Sequence, residues 1–319
     1  MTEIVTKKEK TFEYYMDLPS EVRIFVIDEQ QPDDRCRFTR CSKLCNKEAK
    51  ASKNYIYKLR FLTPRFGRYT IEVNYNELHG YKLYYENMLR EKTVSYFSWD
   101  HRSLWRTQLD SSKDLFQYAI EKFKNLLQTY QNRVKRLELE ASLMDIETWR
   151  NIDFEVDSLK DLRDLFVCGP VDVNHLLSKT RKPLEKLNVT RDRDYTLLEK
   201  STRLVNFEKI YNVQQLEWPS LEISSSQFLQ LSSYEASINI GKLTTEDIFN
   251  FIRSWQNGTL GRKIGFYTFY LKDSNFNIQE LLRRLGVANH GEKQINIENF
   301  NKDVRSAILW ISEYMCFIT

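Results

Sequence analysis

The stretch "RVKRLELEASL" (133–143) carries the pattern that decides the fold. Leu137 and Leu139 flank Glu138, an apolar–any–apolar triplet inside a charged run. The pattern returns as Leu165-Phe166-Val167, Leu187-Asn188-Val189, Leu221-Glu222-Ile223, Ile238-Asn239-Ile240 and Phe269-Tyr270-Leu271. Between the copies, and after the last of them, lie groups of apolar residues at helical spacing. These are Ile146, Trp149 and Ile152; Val173, Leu176 and Leu177; Ile248, Phe251, Ile252 and Trp255 behind a Thr244 or Thr245 cap; and Ile278, Leu281, Leu282 and Leu285. One short strand with one helix cannot bury its apolar face alone, so such units must stack on one another.

The spacing of the triplets, roughly 17 to 34 residues, brackets the length of leucine-rich-type β/α repeats. Their asparagine ladder is missing and the spacing is ragged. The chain therefore reads as α+β or α/β, with residues 101–319 forming an irregular, curved, leucine-rich-like β/α solenoid. Alternation along a strand sets the middle residue of each triplet opposite to its buried neighbours. Glu138, Phe166, Asn188, Glu222, Asn239 and Tyr270 are thus expected to share one open ladder that binds a target protein. Phe166 and Tyr270 would anchor the target, and Glu138 and Glu222 would select its charge. The alternative for Phe166 is a cover supplied by a loop or by the apolar tail from Trp310 to Ile318.

Upstream of the triplets the periodicity changes. Residues 55–100 alternate with period two: Tyr57, Leu59 and Phe61; Tyr69, Ile71, Val73 and Tyr75; Tyr81, Leu83 and Tyr85. Turn signals separate them, and Val94 to Phe97 closes an expected four-stranded antiparallel meander. A helix follows, capped by Ser111 or Ser112, with Leu115, Ala119, Phe123, Leu127 and Tyr130 on one face. Earlier still, residues 17–50 read as three short helices. The first is capped by Asp17 or Ser20, with Pro19 in its first turn, and carries Val22, Ile24, Phe25, Val26 and Ile27. Asp33 or Asp34 would cap the second, and the third would run from Ser42 to Ala51. So small a block cannot bury that much apolar surface by itself, which calls for a partner.

Composition narrows the functional classes. The net charge of +4 is too small to indicate nucleic acid by itself. Arg133, Lys135, Arg136, Lys179, Arg181, Lys182, Arg191 and Arg193 could still form a basic ridge beside stacking aromatics such as Tyr84, Tyr85, Phe97 and Trp99. Acidic residues interrupt the ridge, so a nucleic-acid role ranks behind protein binding. Five cysteines without a paired framework and a start without an apolar leader predict reduced thiols and a cytoplasmic or nuclear location, with no membrane span. The four histidines and Cys36, Cys41, Cys45 and Cys168 show neither zinc spacing nor a base beside a nucleophile. No enzyme, cofactor or metal is expected.

The segment "MDLPSEVRIFVIDEQQPDDRCRFTRCSKLC" (16–45) resembles an F-box, the helical module that docks on a Skp-type adaptor of cullin ubiquitin ligases. The match is carried by Leu18-Pro19, Glu21, the apolar run Val22 to Ile27 and Ser42-Lys43; Gln30, Arg35 and Cys45 depart from the family pattern. The segments "SSKDLFQYAIEKFKNLLQ" (111–128) and "FLQLSSYEASINIGKLTTEDIFNFIRSW" (228–255) resemble the F-box-associated homology region of the large nematode F-box family. The resemblance implies a tail at 1–11, an F-box at 12–54, the meander at 55–100 and a substrate-recognition domain at 101–319. It implies Skp docking through Leu18, Pro19, Val22, Phe25, Val26 and Ile27, and a target protein held by the remainder for ubiquitination. A scaffold without a ligase link is the alternative.

Overall fold

A computed structural model describes residues 15–28, 41, 43–51, 56–63, 67–75, 80–88, 91–98, 104–110, 112–130, 133–141, 157–169, 171–190, 202–203, 207–218, 221–239, 243–260, 265–270, 276–287, 294–297, 307–311 and 314–318. The chain divides into two compact units, residues 1–55 and 56–319.

In the first unit a 3₁₀ turn, Tyr15–Asp17, precedes α1 (Ser20–Asp28), and α2 (Lys43–Ala51) packs against α1. The Pro19 carbonyl accepts the first helical bond, from the Arg23 amide at 3.0 Å. Pro19 therefore stands at the cap and not inside the first turn. It has no amide hydrogen, so this position wastes no donor. The expected second helix lies outside the described residues, apart from Cys41.

The second unit is mixed α+β. Its described residues include one large sheet of 14 strands. The first five strands are β1 (Ile56–Leu62), β2 (Tyr69–Asn74), β3 (Gly80–Met88), β4 (Glu91–Ser98) and β5 (Leu104–Gln108), and they are antiparallel throughout. The meander thus gains a fifth strand past residue 100. Its first strand also pairs in parallel with β6 (Val134–Glu140), so it continues the sheet edge to edge.

From β6 the parallel strands lie side by side in chain order: β7 (Asp164–Cys168), β8 (Lys186–Thr190), β10 (Gln215–Trp218), β12 (Glu235–Asn239) and β13 (Phe266–Tyr270). The tail forms β14 (Gln294–Ile297), β15 (Ala307–Ile311) and β16 (Tyr314–Ile318), which extend the sheet antiparallel beyond β13. The described residues of that tail, 310–311 and 314–318, therefore add to strands at the far edge and do not lie over Phe166. A separate two-stranded sheet pairs β9 (Thr202–Arg203) with β11 (Leu221–Glu222).

The core lies on one face of the large sheet. Helix α3 (Leu115–Tyr130) covers β1, β2 and β3, burying Leu115, Phe116, Ala119, Phe123 and Leu127. Asp114 caps it, accepting from the Phe116 amide at 3.0 Å, in place of the serines at 111 and 112. Phe61 makes edge contacts with Phe116 and Phe123, at centroid separations of 6.3 and 5.2 Å. Helices α4 (Val173–Lys179), α5 (Ser225–Gln230), α6 (Thr245–Gln256) and α7 (Ile278–Leu285) follow the parallel strands. Asp172, Ser224, Thr244 and Asn277 cap them. A second aromatic cluster, Phe228, Phe251, Tyr267 and Phe269, fills the core beneath β12 and β13. The expected helix at Ile146 to Ile152 lies outside the described residues. Gly169 ends β7 in the left-handed region at φ +101°; a Cβ there would sit 2.6 Å from the Ala141 carbonyl oxygen, so only glycine fits.

Candidate functional site

Two surfaces carry the residues that the sequence singles out, one on each unit. On α1 the apolar residues do not form a uniform sleeve. Ile27 is fully buried, Phe25 is 63% exposed and Val22 is 42% exposed. Val22 and Phe25 are three residues apart, so they share one face of the helix. Pro19 is exposed beside them, whereas Leu18 and Val26 are half-buried. Ile27 belongs to the inner packing of this unit and drops out of the docking set: a side chain without accessible surface offers a partner nothing.

A buried polar knot holds α1. Glu48, 5% exposed, accepts from the Tyr15 hydroxyl at 2.9 Å and from Arg23 Nε at 2.6 Å. Arg23 also donates to the Leu18 carbonyl at 2.7 Å and lies over the Tyr15 ring. Burial raises the Tyr15 phenol well above its ordinary value, and the Glu48 carboxylate raises it further. Within this knot Glu48 ties the 3₁₀ turn, α1 and α2 together.

The second surface is the open face of the parallel strands. Register places Arg60, Glu138, Phe166, Asn188, Glu217, Ser237 and Thr268 in one row across β1, β6, β7, β8, β10, β12 and β13. Glu138, Phe166 and Asn188 therefore stand side by side. Asn239 and Tyr270 pair with each other one rung further along. Their expected triplets lie two residues downstream of Ala236-Ser237-Ile238 and Tyr267-Thr268-Phe269, which bury Ala236, Ile238, Tyr267 and Phe269. A shift of two keeps the face and changes only the rung.

Glu222 is off the ladder, on β11 of the small sheet. Glu217 takes its place, within a triplet of its own, Leu216-Glu217-Trp218, whose flanking residues are buried. This stretch holds two candidate triplets five positions apart. Pro219, which has no amide hydrogen for a ladder, separates them.

Charges on this face are arranged in two ways. Near the meander they are matched. Glu72 is 4% exposed, with Lys58 at 2.6 Å, Lys82 at 3.6 Å and Arg60 at 4.0 Å. Burial pushes its carboxyl up, but the three cations together outweigh that and hold it below the usual glutamate value. Glu138 is gripped by Arg60 at 2.9 Å and Arg136 at 2.5 Å, so its charge is compensated within the sheet. Arg136 also stacks on Phe166, 4.2 Å from the ring centre, which accounts for a large aromatic on an open face.

Beyond Phe166 the carboxylates have neutral neighbours. The Asn188 side-chain amide donates to Glu217, and Gln215 donates to Glu235 at 3.0 Å. Two hollows of about 320 and 300 Å³ open on this face, and Phe166 lines both. Arg60 and Arg136 line the smaller, while Glu217, Glu235 and Phe266 line the larger.

Of the possible basic ridge, Arg136 lies on the sheet face, whereas Lys179 lies on α4. Tyr85 is buried, and Tyr84 lies under Arg68 at 4.6 Å. Among the described residues, no helix is long and apolar enough to cross a membrane, and no three His, Cys, Asp or Glu side chains cluster as metal ligands. Comparison with protein-family models, curated proteins and solved structures found no match.

Proposed function

We propose that the chain is the substrate-recognition subunit of a Skp–cullin–F-box ubiquitin ligase. The first unit is read as the F-box that docks on a Skp-type adaptor and, through it, on a cullin. The second is read as an irregular leucine-rich-like β/α solenoid whose open sheet face holds the target. The observation that carries the reading is the exposed pair Val22 and Phe25 beside Pro19 on α1, a helix anchored from its other side by Ile27. Large aromatics left in water on a braced helix mark interaction sites, and a central aromatic anchor dominates such interfaces. The mechanism is proximity. The adaptor raises the effective concentration of a target lysine near a charged conjugating enzyme, so no residue of this chain has to break or make a bond. This function places the protein in the cytoplasm or nucleus.

The test is co-purification of the full chain with a Skp-type adaptor and cullin. The Val22→Ala, Phe25→Ala double variant is expected to lose both while its circular dichroism stays unchanged. Full retention of the adaptor by that variant would leave an interaction scaffold without a ligase link as the better reading.

A further inference from the structure

The larger hollow on the sheet face has a composition of its own. Phe166 on β7 stands at one end, and Phe266 on β13, 40% exposed, at the other. Between them Glu217 and Glu235 project from the adjacent strands β10 and β12. The side-chain amides of Asn188 and Gln215 donate to them. An amide orients a carboxylate without cancelling its charge. Glu72 and Glu138, on the same face, are by contrast each matched by at least two cations. Among the described residues lining the hollow, Lys186 supplies the opposing charge, which leaves the lining net negative. Phe166 and Phe266 are four strand intervals and one two-residue step apart, about 20 Å, a distance spanned by about six extended residues.

We propose that this hollow docks a short, extended, basic segment of a partner protein. Apolar side chains of the segment pack on Phe166 and Phe266, and its arginines or lysines face Glu217 and Glu235. Charge complementarity makes the choice of occupant. An acidic segment would meet two carboxylates, and a purely apolar one would strip water from them with nothing in return. Phe166 already stacks one guanidinium, that of Arg136, so its ring is placed for cation contact. The proposal rests on the sheet face being the recognition surface and not on the link to a ligase.

The test uses the full-length chain and three fluorescein-labelled, acetylated hexapeptides read by anisotropy. The first has leucine at each end and two arginines within; the others carry glutamine or glutamate in place of arginine. The arginine peptide should bind at least ten-fold tighter than the glutamine peptide at low salt, with the glutamate peptide weakest. Glu217→Gln with Glu235→Gln should abolish that preference, since each new amide can still accept from Asn188 or Gln215. Phe166→Ala with Phe266→Ala should weaken the arginine and glutamine peptides alike. Lys186→Gln, a change at an exposed side chain, should tighten the arginine peptide and keeps the idea testable if the glutamate variants melt early. Equal binding of the three peptides, a tighter glutamate peptide, no arginine-peptide binding up to millimolar, or an unchanged preference in the glutamate variants would each overturn the proposal. Adaptor capture is measured on the same preparations; its absence counts against the docking helix and leaves the groove result standing.

Discussion

Neighbouring residues of similar chemistry do opposite jobs in α1. Phe25 is mostly in water and Ile27 has no accessible surface, although two positions separate them. Phe25→Ala should therefore cost about 2–4 kcal/mol in adaptor binding and almost nothing in stability. Ile27→Ala should instead cost about 2–5 kcal/mol of the first unit's stability by opening a cavity. Titration calorimetry and thermal melts on the same pair of variants check the division; a Phe25→Ala protein that binds normally would contradict it. Glu72 makes a second prediction at this scale. Its folded pKa lies below the ordinary glutamate value of 4.5, so its ion pairs stabilise the sheet at neutral pH and above. That contribution is lost as pH falls below about 4.5 and the carboxylate protonates. Glu72→Gln should destabilise the second unit by about 3 kcal/mol at pH 7, because Lys58, Arg60 and Lys82 lose their buried partner. Between pH 5 and 3 the variant should lose less stability than the parent, as urea midpoints across that range would show.

The elements were legible in proportion to how local their causes are. Helix α6 was readable because its apolar residues recur at helical spacing and because Thr244 and Asp247 form a capping box. The Asp247 carboxylate accepts from the Thr244 amide at 2.7 Å, and Thr244 Oγ accepts from the Asp247 amide at 3.2 Å. Thr244→Ala should lower stability by about 1 kcal/mol, and Thr244→Ser should restore most of it. Equal melting temperatures for the alanine variant and the parent would show that the cap carries no weight. Strand β10 was less legible. It has four residues, and Leu216-Glu217-Trp218 competes with Leu221-Glu222-Ile223 five positions later. Local pattern cannot choose between two such triplets; pairing with Leu187 on one side and Ala236 on the other does so. The tail strands were missed because Ala307 to Ile318 is apolar without a decisive period, and its strand character comes from pairing with β13.

At the scale of the molecule, the two units should come apart in the test tube. Residues 56–319 contain the whole sheet and its helices, so that fragment should fold alone with a single cooperative transition. Residues 1–55 are too few to hold a core of comparable size. Their stability should depend on the Tyr15–Glu48–Arg23 knot, and Glu48→Ala in the full chain should release that unit to proteolysis while the sheet unit stays intact. A protease-resistant first unit in the Glu48→Ala variant would show that the knot is dispensable. The sequence by itself determined the alternation that puts Glu138, Phe166 and Asn188 on the open side, the helices at 115–130, 173–179, 245–256 and 278–285, and the apolar excess on α1. These depend on periodicity and capping, which act over a few residues. Only the tertiary structure decided which triplet joins the sheet at β10, that the meander and the tail extend the same sheet, that Glu72 meets cations from β1 and β3 and Glu138 meets Arg60 of β1, and that Ile27 is inside while Phe25 is out. Those outcomes depend on which distant residues become neighbours, and pairing partners from across the chain are chosen by the packing of the whole sheet, not by any one segment.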